Sequence, residues 1–242
     1  MRIRVACHVH SDWSYDGKWP LSRIAAAFSK RGYQAVLLTE HDRGFDESRR
    51  LEHREACRKA STDKILLVPG IEYSDGANCV HILAWGNVPF IGVDAETETV
   101  LAAVAASRGV AVLAHPSRKQ AWKQFKPNWA ANLAGIESWN RKTDGWAPSR
   151  EAQLLLNATK IQPFVGMDFH DRRQLFPLAM VLHGNSEVSE AAILESIYAK
   201  RCSFKAFGAP VDFLVRGARG TMLRLAEIFR RRSARIFHRL CG

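Results

Sequence analysis

The sequence has no paired-cysteine motif, no serine-hydrolase motif and no long apolar run. Its five cysteines are an odd number, and no two of them form a CxxC, which argues against a disulfide scaffold or a thiolate zinc finger. The motif GxSxG does not occur, so an activated serine is not predicted. No run of about 18 apolar residues exists, which predicts that no segment spans a membrane.

The amino-terminal residues MRIRVACHVH contain no long apolar stretch, so no secretory signal is predicted and a cytoplasmic location is expected. The 242 residues are 47% hydrophobic and 24% charged, which is ordinary for a globular protein and excludes a mainly disordered or fibrous chain. The length fits a single α/β barrel.

Short apolar runs alternate with amphipathic segments along the first 210 residues. The runs are rich in Val, Ile and Leu, which is typical of strands buried on both faces. They cover residues 3–7, 35–38, 65–68, 80–84, 110–114, 135–139, 164–167 and 178–182. Helices are predicted between them, over residues 21–31, 46–61, 95–107, 119–133, 149–158 and 189–200. This alternation predicts an α/β fold with a parallel sheet, closed or nearly closed into a barrel.

Histidines and acidic residues stand where these predicted strands end. Six of the nine histidines lie within or just after the apolar runs: His8, His10, His41, His81, His115 and His170. Glu72 and Asp168 occupy similar positions, and Asp16 follows the first run. Because strand residues i and i+2 point to the same side, His8 and His10 are expected to project together.

In a β/α barrel the carboxyl ends of the strands meet at one mouth, so these nine side chains are expected to face one another. Imidazole and carboxylate groups without thiolate suit Zn²⁺, Mn²⁺ or Fe²⁺. Nine ligands exceed the four to six bonds of one ion, which predicts two or three metal ions. The alternative for any single histidine is a hydrogen-bonded core or loop residue, but packing alone does not explain six. Glu137 and Asn140 are interpreted either as partners that orient a metal-binding histidine or as an ordinary strand end.

The motifs around these residues resemble those of the PHP family (polymerase and histidinol phosphatase domains). They occur in the family's order over residues 3–175 and read HVHS at 8–11, WSYDG at 13–17, TEHD at 39–42, PGIE at 69–72, AHP at 114–116 and GMDFH at 166–170. The resemblance implies a distorted (β/α)7 TIM-like barrel over residues 1–215 with a di- or trinuclear metal centre. Because characterised members of the family are mostly phosphoesterases, phosphatases and exonucleases, the resemblance also implies an activity of this kind.

Carried over motif by motif, the resemblance implies three groups of ligands. His8, His10, Glu72 and Asp168 would hold one metal ion. Glu72 would bridge to a second ion bound by His115 and His81, and Asp16, His41 and His170 would hold a third. Two residues depart from the family pattern: Asp16 stands where many trinuclear members have histidine, and Glu40 stands where aspartate is usual.

Basic residues follow four of the motifs, which favours an anionic substrate. They are Arg43, the pair Arg118 and Lys119, the pair Arg141 and Lys142, and the pair Arg172 and Arg173. Guanidinium groups bind phosphate through paired hydrogen bonds, so Arg43, Arg118, Arg141 and Arg172 are the predicted substrate contacts. Solvated loop charges are the alternative for each.

The sequence therefore predicts a hydrolase that cleaves a phosphate ester by metal-activated hydroxide, and a small phosphorylated molecule is the first substrate class. The predicted catalytic residues are His8, His10, Asp16, His41, Glu72, His115, Asp168 and His170. Two alternatives stay open: a nuclease or phosphodiesterase acting on nucleic-acid ends, and a non-catalytic, metal-stabilised binding module.

Residues 216–242 form a separate basic tail with eight arginines and a single acid, Glu227. Residues 219–240 predict an amphipathic helix. Its apolar stripe is Met222, Leu225, Ala226, Phe229, Ile236, Phe237 and Leu240, and arginines 224, 230, 231, 235 and 239 occupy the rest of its surface. Three interpretations stay open: packing on the barrel or on a second subunit of a homo-oligomer, peripheral binding to an anionic membrane surface, and contact with nucleic acid.

Overall fold

The computed structural model describes residues 3–183 and 187–241, with side chains up to residue 233. The strands in these residues are β1 (Ile3–Val9), β2 (Ala35–Leu38), β3 (Glu40–His41), β4 (Leu66–Val68), β5 (Gly70–Ser74), β6 (His81–Trp85), β7 (Val110–Leu113), β8 (Gly135–Asn140), β9 (Pro163–Gly166), β10 (Leu178–Leu182), β11 (Cys202–Ala206) and β12 (Ala209–Pro210). The α-helices are α1 (Leu21–Ser29), α2 (Glu47–Ala60), α3 (Thr97–Ala106), α4 (Arg141–Asp144), α5 (Arg150–Thr159), α6 (Glu190–Tyr198), α7 (Val211–Val215) and α8 (Gly217–Cys241). The predicted α/β class is confirmed.

The strands form two mixed sheets, in the orders β12-β11-β10-β1-β2-β4 and β3-β5-β6-β7-β8-β9. The prediction of a parallel sheet is therefore only partly right, because β6 runs antiparallel to both of its neighbours, β5 and β7. The reason is local: only residues 75–80 separate β5 from β6, and a parallel crossover needs a dozen residues or more. Strand β10 is antiparallel to β1 and to β11.

At two places the chain passes directly from a strand of one sheet into a strand of the other. A single residue, Thr39, separates β2 from β3, and Pro69 alone separates β4 from β5. The segment after β9 also joins the end of β1, since His10 N donates to Phe169 O at 2.8 Å and Met167 N donates to Cys7 O at 2.9 Å. The closed seven-stranded barrel stays a prediction.

The interior is built from the apolar runs that the sequence marks as strands. Every residue of β2, β7 and β10 is buried, as expected for strands covered on both faces. Helix α1 covers this core with Leu21, Ile24, Ala25 and Phe28, which follow helical spacing. The hydrophobic core therefore holds in place the strand ends that carry the histidines.

The predicted helix over residues 119–133 is wrong. Two short 3₁₀ helices, Arg118–Gln124 and Pro127–Asn132, stand in its place. Proline disfavours helical geometry in the residue before it, and Lys126 is extended with φ −104° and ψ 135°. Lys119 and Gln120 have positive φ values of 47° and 59°, which interrupts the first segment as well.

Helix α8 follows the strands of both sheets in the chain and packs along one side against residues 143–146. Gly220 and Glu227 are buried on that side, and Leu223 and Arg230 are half-buried. The Glu227 carboxylate accepts hydrogen bonds from Trp146 N at 2.9 Å and from the Arg230 and Arg231 guanidinium groups. The predicted stripe residues Ile236, Phe237 and Leu240 lie outside the described side chains, as do Arg235 and Arg239. Of the helices described, none is both long enough and apolar enough to cross a bilayer.

Candidate metal centre

Glu72 on β5 lies at the centre of a ring of histidines. Its side chain is 1% exposed. The distances from its carboxylate oxygens are 2.8 Å to His81 Nδ1, 2.9 Å to His115 Nε2, 3.1 Å to His41 Nδ1, 3.4 Å to His10 Nε2 and 3.5 Å to His8 Nε2. Five imidazoles from four segments of the chain therefore meet one buried carboxylate.

The other predicted acids complete this cluster. Asp168 Oδ1 lies 3.8 Å from His8 Nε2 and 3.7 Å from His10 Nε2. Asp16 bridges His41 and His170, with distances of 3.3 Å and 3.0 Å to their Nε2 atoms. All nine residues of the predicted ligand set are thus brought to one site.

Three groups within this site have ligand atoms within 4.8 Å of one another and could each hold a metal ion. They are His8, Glu72 and His115; His8, His10 and Asp168; and His10, His41 and His170. Because His8 and His10 each belong to two groups and an imidazole nitrogen binds one ion at a time, the three groups cannot all be filled together. His81 contacts Glu72 through Nδ1, while its Nε2 lies 2.7 Å from Asn78 Oδ1 and 3.1 Å from an Arg118 nitrogen.

Two ring nitrogens in the site fit a metal ion better than a hydrogen bond. Nε2 of His8 and Nε2 of His10 are buried and have no hydrogen-bond partner among the described residues. A buried polar atom without a partner is costly, and native structures rarely retain one without a reason. Both atoms point towards Glu72 and Asp168, so a divalent cation between these groups would satisfy them.

The backbone is unusual at three of the candidate ligands. His8, His115 and Asp168 have positive φ values of 59°, 23° and 50°, which residues other than glycine seldom adopt. The pairing of β1 with β2 also shifts its register between Cys7 and Val9, around His8. The His8 and His10 rings lie 5.2 Å apart, as the i, i+2 spacing predicts, but an irregular strand carries them. Such strain is characteristic of functional sites, where the surrounding structure holds it in place.

Glu137 on β8 supports two of the candidate ligands from behind. One carboxylate oxygen lies 2.8 Å from His8 Nδ1, and the other accepts hydrogen bonds from His115 N at 2.7 Å and from Asn140 Nδ2 at 2.8 Å. A carboxylate at Nδ1 fixes the proton there and leaves Nε2 free to bind a metal ion. Of the two interpretations of Glu137 and Asn140, the contacts favour the orienting role.

Glu40 supports the other side of the site, a role that the sequence did not reveal. This fully buried carboxylate accepts hydrogen bonds from the hydroxyls of Ser11 and Ser14, and Ser14 Oγ in turn lies 3.2 Å from His10 Nδ1. The Glu40 Oε1 atom also lies 3.5 Å from Nε2 of His53. Burial raises the pKa of Glu40, but its hydrogen bonds to His53, Ser11 and Ser14 outweigh this and lower it. His53 lies in the predicted helix over residues 46–61 and matches none of the motifs, so the sequence predicts a surface position for it; this prediction is wrong, because its side chain is buried beside this network.

The candidate ligands open into a cavity of about 120 Å³ whose rim carries basic groups. Arg43, Arg118 and Lys142 line it, and Lys142 Nζ lies 3.4 Å from Asp168 Oδ1 and 3.1 Å from His170 Nε2. The other two predicted substrate contacts lie elsewhere: Arg141 packs over the Phe176 ring, and Arg172 begins a 3₁₀ turn. From the adjacent pair 141 and 142, it is the lysine that reaches the site.

The histidines and acids of the site shift one another's pKa values. Burial lowers the pKa of His41, but its hydrogen bonds to Asp16 and Glu72 outweigh this and raise it to about 10. Burial raises the pKa of Asp168, while the positive charges of His8 and Lys142 bring it down to about 2. Metal ions and protons would compete for the same ring nitrogens, so metal binding is expected to release protons.

Asp144, next to the site, makes the stability of the fold depend on pH. Burial raises its pKa to about 7, although hydrogen bonds from Ser117 Oγ and Asn140 N lower it. Between about pH 4 and pH 7 the folded chain therefore binds more protons at this group than the unfolded chain does. Its contribution to the free energy of unfolding accordingly falls as the pH rises through that window.

We expect Asp144→Asn to remove this dependence, because asparagine carries no charge to desolvate. The free energy of unfolding of the variant minus that of the wild type should increase by up to about 1.4 kcal/mol for each pH unit between pH 5 and 7. Urea unfolding of both proteins at pH 5, 6, 7 and 8 measures this difference. Parallel stability curves would show that Asp144 is ionised throughout the range.

Comparison with known proteins gives matches among solved structures. No family model and no curated protein sequence matches the chain. A two-domain protein from Bacteroides vulgatus containing a predicted PHP-like metal-dependent phosphoesterase aligns with a TM-score of 0.64 and 20% identity, covering 85% of this chain and 65% of that one. PsfC from Pseudomonas syringae aligns with a TM-score of 0.62 and 12% identity, covering 96% of this chain and 99% of its own. The lesion-specific endonuclease PfuEndoQ from Pyrococcus furiosus aligns with a TM-score of 0.55 and 15% identity, covering 82% and 56%.

These matches define a class by its fold. The chain has the fold of PHP-like metal-dependent phosphoesterases, which confirms at the level of structure the resemblance that the motifs indicate. The chain spans less than two thirds of the length of the Bacteroides vulgatus protein and of the Pyrococcus furiosus endonuclease. At 12–20% identity the likeness carries the fold, and the chemistry has to be argued from the site.

Proposed function

We propose that this protein is a metal-dependent phosphoesterase that hydrolyses a small phosphate ester with two or three divalent ions. The observation that carries the proposal is the convergence of five histidines on the buried Glu72, with His8 Nε2 and His10 Nε2 lacking any hydrogen-bond partner among the described residues. When bound, such ions lower the pKa of a water molecule and offset the charge that develops on a phosphoryl group.

Within this proposal the ligands divide as the motif resemblance implies, and the contacts support the grouping of His8 and His10 with Asp168 and of His41 with His170. His8, His10, Glu72 and Asp168 would hold one ion. Glu72, His115 and His81 would hold a second, and Asp16, His41 and His170 a third. The donor set contains nitrogen and oxygen atoms and no sulfur, which suits Zn²⁺, Mn²⁺ or Fe²⁺.

We also propose that the strands close into the seven-stranded barrel. The ring would run β1, β2 with β3, β4 with β5, then β6, β7, β8 and β9. Parallel pairing of Val9 with Phe169 and the hydrogen bond from Phe169 N to His8 O support closure between the end of β9 and β1. Closure would place His8, Glu72, His115 and Asp168 around one mouth.

The cavity favours a phosphomonoester as the substrate. A terminal phosphoryl group would lie beside the candidate ligands that line the cavity, and the rest of the substrate would lie towards the rim. Arg118 and Lys142 line the cavity, where they would bind the phosphoryl oxygens, and Arg43 lies at its edge. Tyr15, stacked on His41 and 72% exposed, would contact the leaving group.

A nuclease is the second candidate function, and the likeness to the endonuclease PfuEndoQ favours it. In that case the phosphoryl group in the cavity would be a diester at a nucleic-acid end. The non-catalytic module is the weaker alternative, because all nine predicted ligands are present and meet at one site.

The proposal is tested by measuring metal content and turnover on the same preparation. Protein purified without added metal is analysed for bound ions. It is then assayed with p-nitrophenyl phosphate, bis-p-nitrophenyl phosphate, mononucleotides and short oligonucleotides, with Mn²⁺ or Zn²⁺ added. We expect monoester turnover that His8→Ala abolishes together with the bound metal. The matched control is His183→Ala, because His183 is exposed and contacts Ser203 rather than the site.

Each other outcome changes the conclusion. Turnover of diesters and oligonucleotides alone would replace the phosphatase with the nuclease. Bound metal without turnover of any substrate would favour the binding module. Turnover that persists after chelation and in His8→Ala would contradict metal-dependent hydrolysis at this site.

A further inference from the structure

Helix α8 presents an apolar face away from the rest of the protein. Four large apolar side chains on it are between 47% and 74% exposed: Met222, Leu225, Ile228 and Phe229. Their spacing of three, four and seven residues places them together on one side of a helix. We call these four residues the α8 apolar face.

The opposite side of α8 is occupied by its contacts with the barrel residues. Glu227 is anchored there by Trp146 N and by the guanidinium groups of Arg230 and Arg231. Arg231 also donates to the carbonyl oxygens of Thr143 and Asp144, both at 3.1 Å. These contacts fix the rotation of the helix, so the α8 apolar face is left without a partner in the described part of the chain.

Arginines flank the α8 apolar face on both sides. Arg219 and Arg224 are exposed at its edges, and Arg232 is exposed one turn after Ile228. The Arg219 guanidinium lies 3.9 Å above the ring of Phe213, which is itself half exposed and extends the apolar area. The single acid of the tail, Glu227, is buried, so the exposed surface of the described helix carries positive charge only.

We propose that α8 binds the surface of an anionic lipid bilayer, with the α8 apolar face inserted among the acyl chains. An apolar face bordered by arginines matches the depth profile of such a surface, in which hydrocarbon lies below negatively charged headgroups. Long arginine side chains can reach up to the headgroups while their stems remain in the apolar layer.

The two other occupants fit less well. A nucleic acid would neutralise the arginines but would leave Leu225 and Phe229 in water. A second copy of this chain would cover the apolar side chains but would bring its own Arg219 and Arg224 against those of the first copy, with no exposed acid on the described helix to pair with them. Of these three occupants, an anionic bilayer is the one that satisfies both features.

Sedimentation with lipid vesicles tests the proposal on the full chain. The wild type should bind vesicles of phosphatidylcholine with phosphatidylglycerol, bind vesicles of phosphatidylcholine alone far more weakly, and be released as salt rises. The double variant Leu225→Gln, Phe229→Gln should bind the anionic vesicles at least about 30-fold more weakly, because two inserted side chains are lost.

A matched control separates this surface from apolar exposure in general. The double variant Leu154→Gln, Tyr198→Gln changes two exposed apolar residues on α5 and α6 and should bind like the wild type. Far-UV circular dichroism and the unfolding midpoint should be unchanged in both double variants, since all four side chains are exposed.

Four results would overturn the proposal. The first is equal binding to neutral and anionic vesicles, and the second is unchanged binding by the Leu225, Phe229 variant. The third is a wild-type dimer in sedimentation equilibrium that this variant dissociates, which would assign the face to a second copy. The fourth is tight binding to duplex or single-stranded DNA without vesicle binding, which would assign the arginines to nucleic acid.

Discussion

Glu72→Gln is expected to remove the bound metal ions and to lower kcat/KM for phosphate-ester hydrolysis by at least about 10³-fold. The side chain keeps its size, but the carboxylate that faces five imidazoles becomes an amide with a single acceptor oxygen. An amide nitrogen directed at His81 or His115 cannot share a cation with it. The loss should therefore appear in the metal content as well as in the rate.

The matched control for this substitution is Glu98→Gln, which removes a carboxylate paired with Lys126 on the protein surface. It should retain both the metal content and the activity of the wild type. If Glu72→Gln kept the wild-type metal content, Glu72 would be excluded as a shared ligand, and the arrangement proposed for the centre would have to change.

Glu137→Gln should have the second largest effect, although this residue is not expected to touch a metal ion. Its carboxylate accepts hydrogen bonds from His8, from the backbone N–H of His115 and from Asn140. Glutamine has only one acceptor oxygen, so in either orientation its NH₂ group meets a donor. If the NH₂ group faces His8, the proton on that ring moves to Nε2, the atom that should bind the metal.

We expect Glu137→Gln to weaken metal affinity or activity by about 10–100-fold. Titration of metal-free protein with Zn²⁺, monitored by calorimetry, separates an effect on affinity from one on turnover. Asn140→Asp, which puts a second carboxylate beside the first, should also weaken the site, whereas Asn87→Asp, far from it, should not. Wild-type affinity in Glu137→Gln would show that His8 is oriented by other contacts.

The sequence predicted much of the fold and the composition of the site, because both depend on local patterns. Strand runs and helices such as α1 follow directly from apolar spacing, and apart from residues 119–133 the observed bounds of the predicted elements lie within two residues of those predicted. The ligands stood out because imidazoles and carboxylates recur where apolar runs end. To predict that these ligands converge on one site, it was enough to assume that the carboxyl ends of the strands meet at one mouth.

What the sequence could not predict depends on contacts between distant segments. The antiparallel course of β6 follows from the short connection 75–80, but the apolar runs do not mark β5 (Gly70–Ser74) as a separate strand and so hide how short that connection is. Glu40 and His53 lie on different elements and form a buried pair only after folding, so His53 looked like a helix surface residue. Arg141 and Lys142 are adjacent and both basic, and only the start of α4 decides which one points into the cavity.

The positive φ angles at His8, His115 and Asp168 were also hidden from sequence patterns. Glycine or asparagine commonly marks such a conformation, but here ligand residues adopt it. Packing of the flanking core residues Cys7, Ala114 and Met167, all buried, holds these segments in place.

The central claim is that a polynuclear metal centre lies between His8, Glu72, His115 and Asp168. Anomalous diffraction from crystals grown with Mn²⁺ or Zn²⁺ measures this directly. The account predicts at least two anomalous peaks within bonding distance of these side chains, with the Glu72 carboxylate bridging two of them. Crystals that bind the same ions only on surface histidines, with Glu72 still hydrogen-bonded to an ion-free histidine cluster, would contradict it.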